Sequence, residues 1–244
     1  ALVVTVNYLV VALLIGVYLL AQGGGIELTP MAWKVGMVTG CTFIAAMCLM
    51  TWALTISDVA TILTAFRLSI VVPIIASVVL WQEEVTSTQL VGVTLALSAL
   101  LLMSGGARAI DGSALFRHGV LAIAVCAMQG VSHTSARWVH HAGLDDQHLE
   151  VLLVTAATAA SLGIVTLCVL RRPVNWPSLR MGIGIGVFNV FALVVFLAAL
   201  ERFQSAQFFP ISGCAIVIMD NIFSHVVWRE RLSQLTVVGV VVGA

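Results

Sequence analysis

Two ionisable residues stand where the surrounding sequence leaves no water to solvate a charge. Arg67 lies about three residues before the middle of the apolar stretch 59–81, and Asp220 about four residues beyond the middle of the stretch 205–228. A lone charge in hydrocarbon costs at least about 2.5–3.5 kcal/mol, so each needs a partner or a purpose. The two stretches run in opposite directions, and at about 1.5 Å per residue both charges come within ~4–6 Å of the midplane on the same side. They can meet. One reading is a structural ion pair that neutralises both charges. The other is a site in which the guanidinium, with its fork of donors, takes a carboxylate or phosphate while Asp220 takes an amine or a proton. The readings are compatible, because a zwitterion can replace each partner.

Other polar residues inside apolar stretches are weaker candidates for the same chemistry. Gln129 and His133 are four apart on one helical face of the stretch 118–137, so both can point at one cavity. A histidine so placed is more often an interhelical contact than a ligand, and Asn189 and Asn221 are weighed likewise. Trp52 and Phe188 are large enough to wall a substrate, although aromatics in a bundle usually pack. The cluster His140, His141, Asp145, Asp146 and His148 has metal-ligand chemistry but irregular spacing, and a solvated loop accounts for it. The five cysteines lie in apolar stretches without CxxC spacing and read as packing residues. No metal or cofactor is expected.

The elements that must hold these side chains follow from composition. The chain is 61% hydrophobic and 9% charged, against roughly 25% charged residues in soluble domains. Formal net charge is zero and no long basic run occurs, which argues against nucleic acid as a partner. Stretches near the ~20 residues that cross a bilayer fall at about 2–21, 31–56, 59–81, 86–105, 118–137, 150–170, 181–201, 205–228 and 233–244. The spacing thus predicts about nine helices, with Thr86 and Ser233 as N-caps. The chain opens inside an apolar segment without an initiating Met, and its last segment is about 12 residues long. A first helix and the end of the last one are expected to lie outside it.

The pattern repeats. Trp81, Glu83, Thr86 and Gly92 recur 147 positions later as Trp228, Glu230, Ser233 and Gly239, and Gly36 and Gly40 recur 146 positions later as Gly182 and Gly186. The glycine pairs read as close-approach faces, the tryptophans as interfacial anchors, and Glu83 and Glu230 as solvated residues just past span ends. Repeats in so apolar a chain are typical of secondary transporters. The division falls into a first repeat over 1–110 and a second over 111–244. An odd helix count per repeat inverts the second half relative to the first.

The segments Ala53–Ala60 (ALTISDVA), Trp81–Glu84 (WQEE) and Gln89–Val93 (QLVGV), with Pro73 mid-span, resemble the EamA-type drug/metabolite transporter superfamily. The second copy, Ala199–Ala206 (ALERFQSA) with Trp228–Arg231 (WRER) and Gly239, is similar. The resemblance covers nearly the whole chain. It implies an all-α membrane protein, a ten-helix bundle of two inverted five-helix repeats. A central cavity would be lined by the family's third, fourth, eighth and ninth helices, the fourth and ninth carrying Arg67 and Asp220. Asp220 stands where the first copy has Pro73, so the halves differ chemically at the centre. The expected function is alternating-access transport of a small polar, anionic or zwitterionic metabolite. The expected substrate-binding residues are Arg67, Asp220, Gln129, His133, Asn189, Asn221 and Trp52. The expected setting is a bacterial inner or plasma membrane, with a coupling proton and a homodimer left open.

Lys and Arg placement orients the chain. Arg108, Arg117, Arg171, Arg172, Arg180, Arg229 and Arg231 gather on one side, which should be cytoplasmic, while Lys34, Arg137 and Arg202 fall on the other. Family members with both termini in the cytoplasm have the reverse orientation. Against transport stand an intramembrane hydrolase and a scaffold or channel. The hydrolase would need Ser212 and His225, which are about 20 Å apart along one helix, and no phosphate-binding loop suggests ATP hydrolysis. A scaffold or channel gives no reason for the duplication.

Overall fold

In lipid every backbone N–H and C=O must be satisfied within its own segment or a closed barrel, and a chain with this apolar content meets that demand with helices. A computed structural model describes residues 2–22, 28–57, 59–103, 112–171, 174–227 and 238–239. Among them are nine α-helices: α1 (Leu2–Ala21), α2 (Pro30–Ile56), α3 (Val59–Leu68), α4 (Val71–Trp81), α5 (Ser87–Met103), α6 (Gly112–His141), α7 (His148–Val169), α8 (Trp176–Arg202) and α9 (Ser205–Val227). Seven spans are long and apolar enough to cross a membrane, α3 and α4 counting together, and α5 adds a shorter apolar helix. These are the features of an all-helical, multi-pass membrane protein. The expected twelve-residue helix from 233 lies outside the described residues apart from Val238 and Gly239, as do Trp228, Glu230 and Ser233.

Helix starts follow ordinary capping chemistry. Thr29 Oγ1 accepts from Ala32 N–H at 3.2 Å ahead of Pro30, where proline loses no hydrogen bond. Thr86 and Gln89 form a reciprocal capping box, Thr86 N–H donating to Gln89 Oε1 at 2.9 Å and Gln89 N–H to Thr86 Oγ1 at 3.3 Å. Asn175 Oδ1 accepts from Ser178 N–H at 2.9 Å before α8.

The chain forms two compact units, each drawn from two stretches of sequence: unit 1 is Ala1–Thr51 with Thr134–Arg202, and unit 2 is Trp52–His133 with Phe203–Ala244. In unit 1, Tyr8, Val11, Ile15 and Leu19 of α1 are buried with Leu152, Ala156, Ala159 and Ala160 of α7, small residues on α7 letting the helices close. Gly16 faces Leu153 while Gly163 faces Thr5, so α1 and α7 run antiparallel. The repeated glycines make a second, reciprocal contact. Gly182 and Gly186 of α8 seat Val6 and Val10 of α1, and Gly36 and Gly40 of α2 seat Val154 and Thr158 of α7. Val6 and Val154, like Val10 and Thr158, are each 148 positions apart. The same contact is thus made twice, at positions of matching spacing.

In unit 2 the expected single helix over 59–81 is two, α3 and α4, with a turn at Ser69 and Ile70. Pro73 is the cause. It has no N–H for the Ser69 carbonyl four residues back, and its ring crowds that carbonyl. The carbonyl instead accepts from Val72 N–H at 3.0 Å, and Ser69 Oγ closes on the Phe66 carbonyl at 2.6 Å. The unit's buried side chains include Ile62, Ile70, Ile74, Leu100, Phe209 and Val217. Gly130 of α6 lies so close on Val72 that a methyl group there would collide with it, and Gly213 of α9 faces Ile70 and Leu100.

Candidate functional site

Arg67 occupies the last turn of α3, immediately before the break that Pro73 imposes, and a cation is favoured at a helix C-terminus. Asp220 projects from α9. The two meet, Arg67 Nη2 donating to Asp220 Oδ2 at 3.4 Å, with the arginine side chain 21% exposed and the aspartate 60% exposed. Charge-assisted N–H···O bonds are ordinarily about 2.7–2.9 Å. The pair is therefore loose and open on the aspartate side, and four of the five guanidinium N–H donors lie beyond this one bond.

Gln129 and His133 form the second polar group of the same unit. Gln129 is buried, its amide nitrogen lies 3.1 Å from His133 Nε2, and its Oε1 accepts no hydrogen bond among the described residues. The His133 ring packs on Phe209 of α9 at 5.6 Å between centroids. Asn221, one residue past Asp220, instead donates to the carbonyl of Val217 in its own helix at 2.8 Å. Trp52 of α2 is exposed. Asn189 belongs to unit 1, where it donates to Asn7 Oδ1 of α1 at 3.1 Å, and Phe188 beside it is exposed. Six of the seven expected site residues thus lie in unit 2, and two of them, Arg67 and Asp220, form the ion pair.

Several sequence readings change on contact with the geometry. Glu83 is no mere solvated residue. Gln82 takes a left-handed conformation (φ 54°) that turns the chain back at the end of α4, and the Glu83 carboxylate then accepts from Ser205 N–H at 3.0 Å and Ser205 Oγ at 3.3 Å. It caps α9, where a negative charge is favoured. Arg137, expected at the very end of the span 118–137, lies within α6, is buried, and donates to the Leu200 carbonyl near the C-terminus of α8. Its placement four residues past His133 on a helix longer than expected was the available signal. In the loop cluster, His140 Nδ1–H donates to both Asp145 carboxylate oxygens at 3.0 Å and His148 Nδ1–H to the Asp145 carbonyl at 2.6 Å. Among the described residues no group of three or more such side chains could hold a metal ion. Ser212 Oγ donates to the Phe209 carbonyl at 3.2 Å, an ordinary helical back-bond, and the His225 side chain lies outside the described residues.

No family model matches the chain. An uncharacterized protein of Haemophilus influenzae (strain ATCC 51907 / DSM 11121 / KW20 / Rd) is 23% identical over 219 residues, covering 88% of this chain and 72% of the relative. A protein of known crystal structure with no functional name superposes with a TM-score of 0.80 over 99% of this chain and 83% of its own, at 15% identity. That similarity is one of fold.

Proposed function

We propose that the chain is a secondary active transporter of the EamA type within the drug/metabolite transporter superfamily. It moves a small polar metabolite, anionic or zwitterionic, across a bacterial inner or plasma membrane by alternating access. The observation that carries this reading is the Arg67–Asp220 pair. A pair serving only to hold two helices together gains from short, closed geometry. This one spans 3.4 Å and leaves the aspartate 60% exposed. A carboxylate arriving at the guanidinium and an ammonium arriving at Asp220 each replace a partner that is weakly held, so neither protein charge is left bare. The antiparallel, reciprocal contact of α1 with α7 supports two inverted repeats, since copies related by an axis in the membrane plane run in opposite directions.

Counterflow in proteoliposomes, screened over labelled amino acids, amines, sugars and organic acids, tests the proposal. Saturable exchange of a carboxylate-bearing substrate is expected, abolished by Arg67→Ala. In the Arg67→Leu/Asp220→Leu double variant no uncompensated charge remains, so the fold should persist while exchange is lost. Exchange at the parent rate by that double variant would make the pair structural and overturn the assignment.

A further inference from the structure

We propose that Glu83 is a positioning residue for α9, a latch that holds the start of this helix to α4 and α5 and must let go for that end of unit 2 to open. The inference deepens the transport reading, because it assigns the closing contact at one end of the unit that carries Arg67 and Asp220.

A directional chain of hydrogen bonds converges on the carboxylate. Ser77 Oγ of α4 donates to Ser205 Oγ at 2.5 Å, Ser205 Oγ donates on to Glu83 Oε1 at 3.3 Å, and Ser205 N–H reaches Glu83 Oε2 at 3.0 Å. Such relays polarise and strengthen one another. Ser77 and Ser205 are fully buried, whereas Glu83 is half-exposed. One residue away, Gln89 of α5 donates from Nε2 to Gln204 Oε1 at 2.8 Å. Three helix ends therefore meet in one polar knot.

What lies beneath the knot makes it a latch. Beside it the seam between α5 and α9 is open, a groove of about 380 Å³ lined by Thr88, Gln89, Gly92, Ala206, Gln207 and Pro210 among others. A side chain added at Gly92 would meet nothing within 4 Å. The groove runs on past Leu95 and Ile211 to Ala96 and Cys214, whose Sγ lies on the Ala96 carbonyl, and beside its end Gly213 packs against Ile70 and Leu100. Ala206 and Phe209 bury the first turns of α9, and the bonds to Glu83, Ser77 and Gln89 add the polar hold where the seam toward α5 is open. Pro210, inside α9, removes the donor for the Ala206 carbonyl and loosens the first turns from the rest of the helix.

Cys214, buried nine residues beyond Ser205, or ~13 Å along the helix, reports the opening without any substrate. With Cys41, Cys48, Cys126 and Cys168 replaced by alanine, the full chain in lipid nanodiscs is treated with N-ethylmaleimide and the rate of Cys214 labelling followed by peptide mass spectrometry. Losing a charge-assisted bond should raise that rate about tenfold or more in Glu83→Ala and Ser205→Ala, and less in Glu83→Gln, which keeps an acceptor. A variant that loses its helical circular dichroism is set aside, and the decision then rests on Ser77→Cys/Ser205→Cys. Once oxidised to a disulfide, that double variant should label Cys214 several-fold more slowly than when reduced. Rates for the folded Glu83 variants within twofold of the parent, or equal rates for the oxidised and reduced forms, would overturn the latch. The substrate screen is unaffected by either result, so failure of the latch and failure of the transport reading are separately visible.

Discussion

Gly36→Ala and Gly182→Ala should destabilise the protein by the same amount, although the two glycines lie on different helices 146 positions apart. A methyl group at Gly36 would sit 2.7 Å from Val154 Cβ and 3.0 Å from the Val151 carbonyl oxygen, and one at Gly182 would sit 2.7 Å from Val6 Cβ and 3.0 Å from the Val3 carbonyl oxygen. Neither obstacle is the far end of a flexible side chain. Overpacking of this kind costs about 1–3 kcal/mol, while alanine regains roughly 0.5–1 kcal/mol over glycine within a helix. The net loss is about 1–2 kcal/mol at each site. Gly184, two residues from Gly182, has nothing within 4 Å of its notional Cβ, so Gly184→Ala should gain roughly 0.5–1 kcal/mol. Reversible unfolding in mixed micelles, titrated with sodium dodecyl sulfate and followed by circular dichroism, measures all three. The reciprocal packing would be refuted if Gly36→Ala or Gly182→Ala proved as stable as Gly184→Ala, or if the first two differed by more than about 1 kcal/mol.

Pro73→Ala returns a donor to the Ser69 carbonyl, and amide exchange over residues 70–74 should slow several-fold; unchanged exchange would show that proline is not what splits α3 from α4. Gln129→Leu removes the bond to His133 Nε2 but also an amide oxygen that accepts no bond among the described residues, so the two effects offset and stability should stay within about 1 kcal/mol of the parent, whereas Ser205→Ala should cost about 1–3 kcal/mol by leaving buried Ser77 without its acceptor; the same micelle titration decides, and the reverse order would contradict both accounts. Cysteines at Gly112 and Pro173 should be shielded from impermeant thiol reagents outside intact cells and one at Gly24 labelled, as the arginine-rich side dictates; the opposite pattern would mean that the family's usual orientation holds.

Helix positions were legible because bilayer length and unbroken apolarity are local properties. Leu2–Ala21 and Pro30–Ile56 fall within a residue of the expected spans, and Thr86 caps α5 as its residue type suggests. The meeting of Arg67 with Asp220 was legible too, since depth in a membrane reduces to counting residues from a span's middle. Ser69 and Ile70 went unread as a break because apolarity continues through them, and only the backbone consequence of Pro73 interrupts the helix. Glu83 was missed for a different reason. Its partner Ser205 is 122 positions away, and no sequence period links a carboxylate to the helix end it caps. Arg137 looked like the end of its span because the span was cut at the usual length, and only the continuation of α6 to His141 carries it inside. Asn189 and Asn221 show the same limit. A polar residue in a span is visible, but whether it bonds Asn7 across a seam or the Val217 carbonyl beneath it depends on neighbours the sequence does not name.

The doubled glycine contact also bears on how such a scaffold diverges. Two identical chains meeting across a two-fold axis must carry the same residue at both copies of a contact, so any polar group introduced at one is duplicated at the other. Two such contacts within one polypeptide carry no such obligation. Asn7 and Thr155, 148 positions apart, occupy equivalent places beside the glycine seats, and Asn189 and Phe43, 146 apart, do likewise. At the first the two asparagines pair across α1 and α8, while Phe43 of α2 lies obliquely on Tyr8 of α1 at 6.5 Å. The α1–α8 contact is thus joined by a hydrogen bond, whereas the matching position of α2 sets an aromatic ring on α1, a difference that two identical chains could not carry.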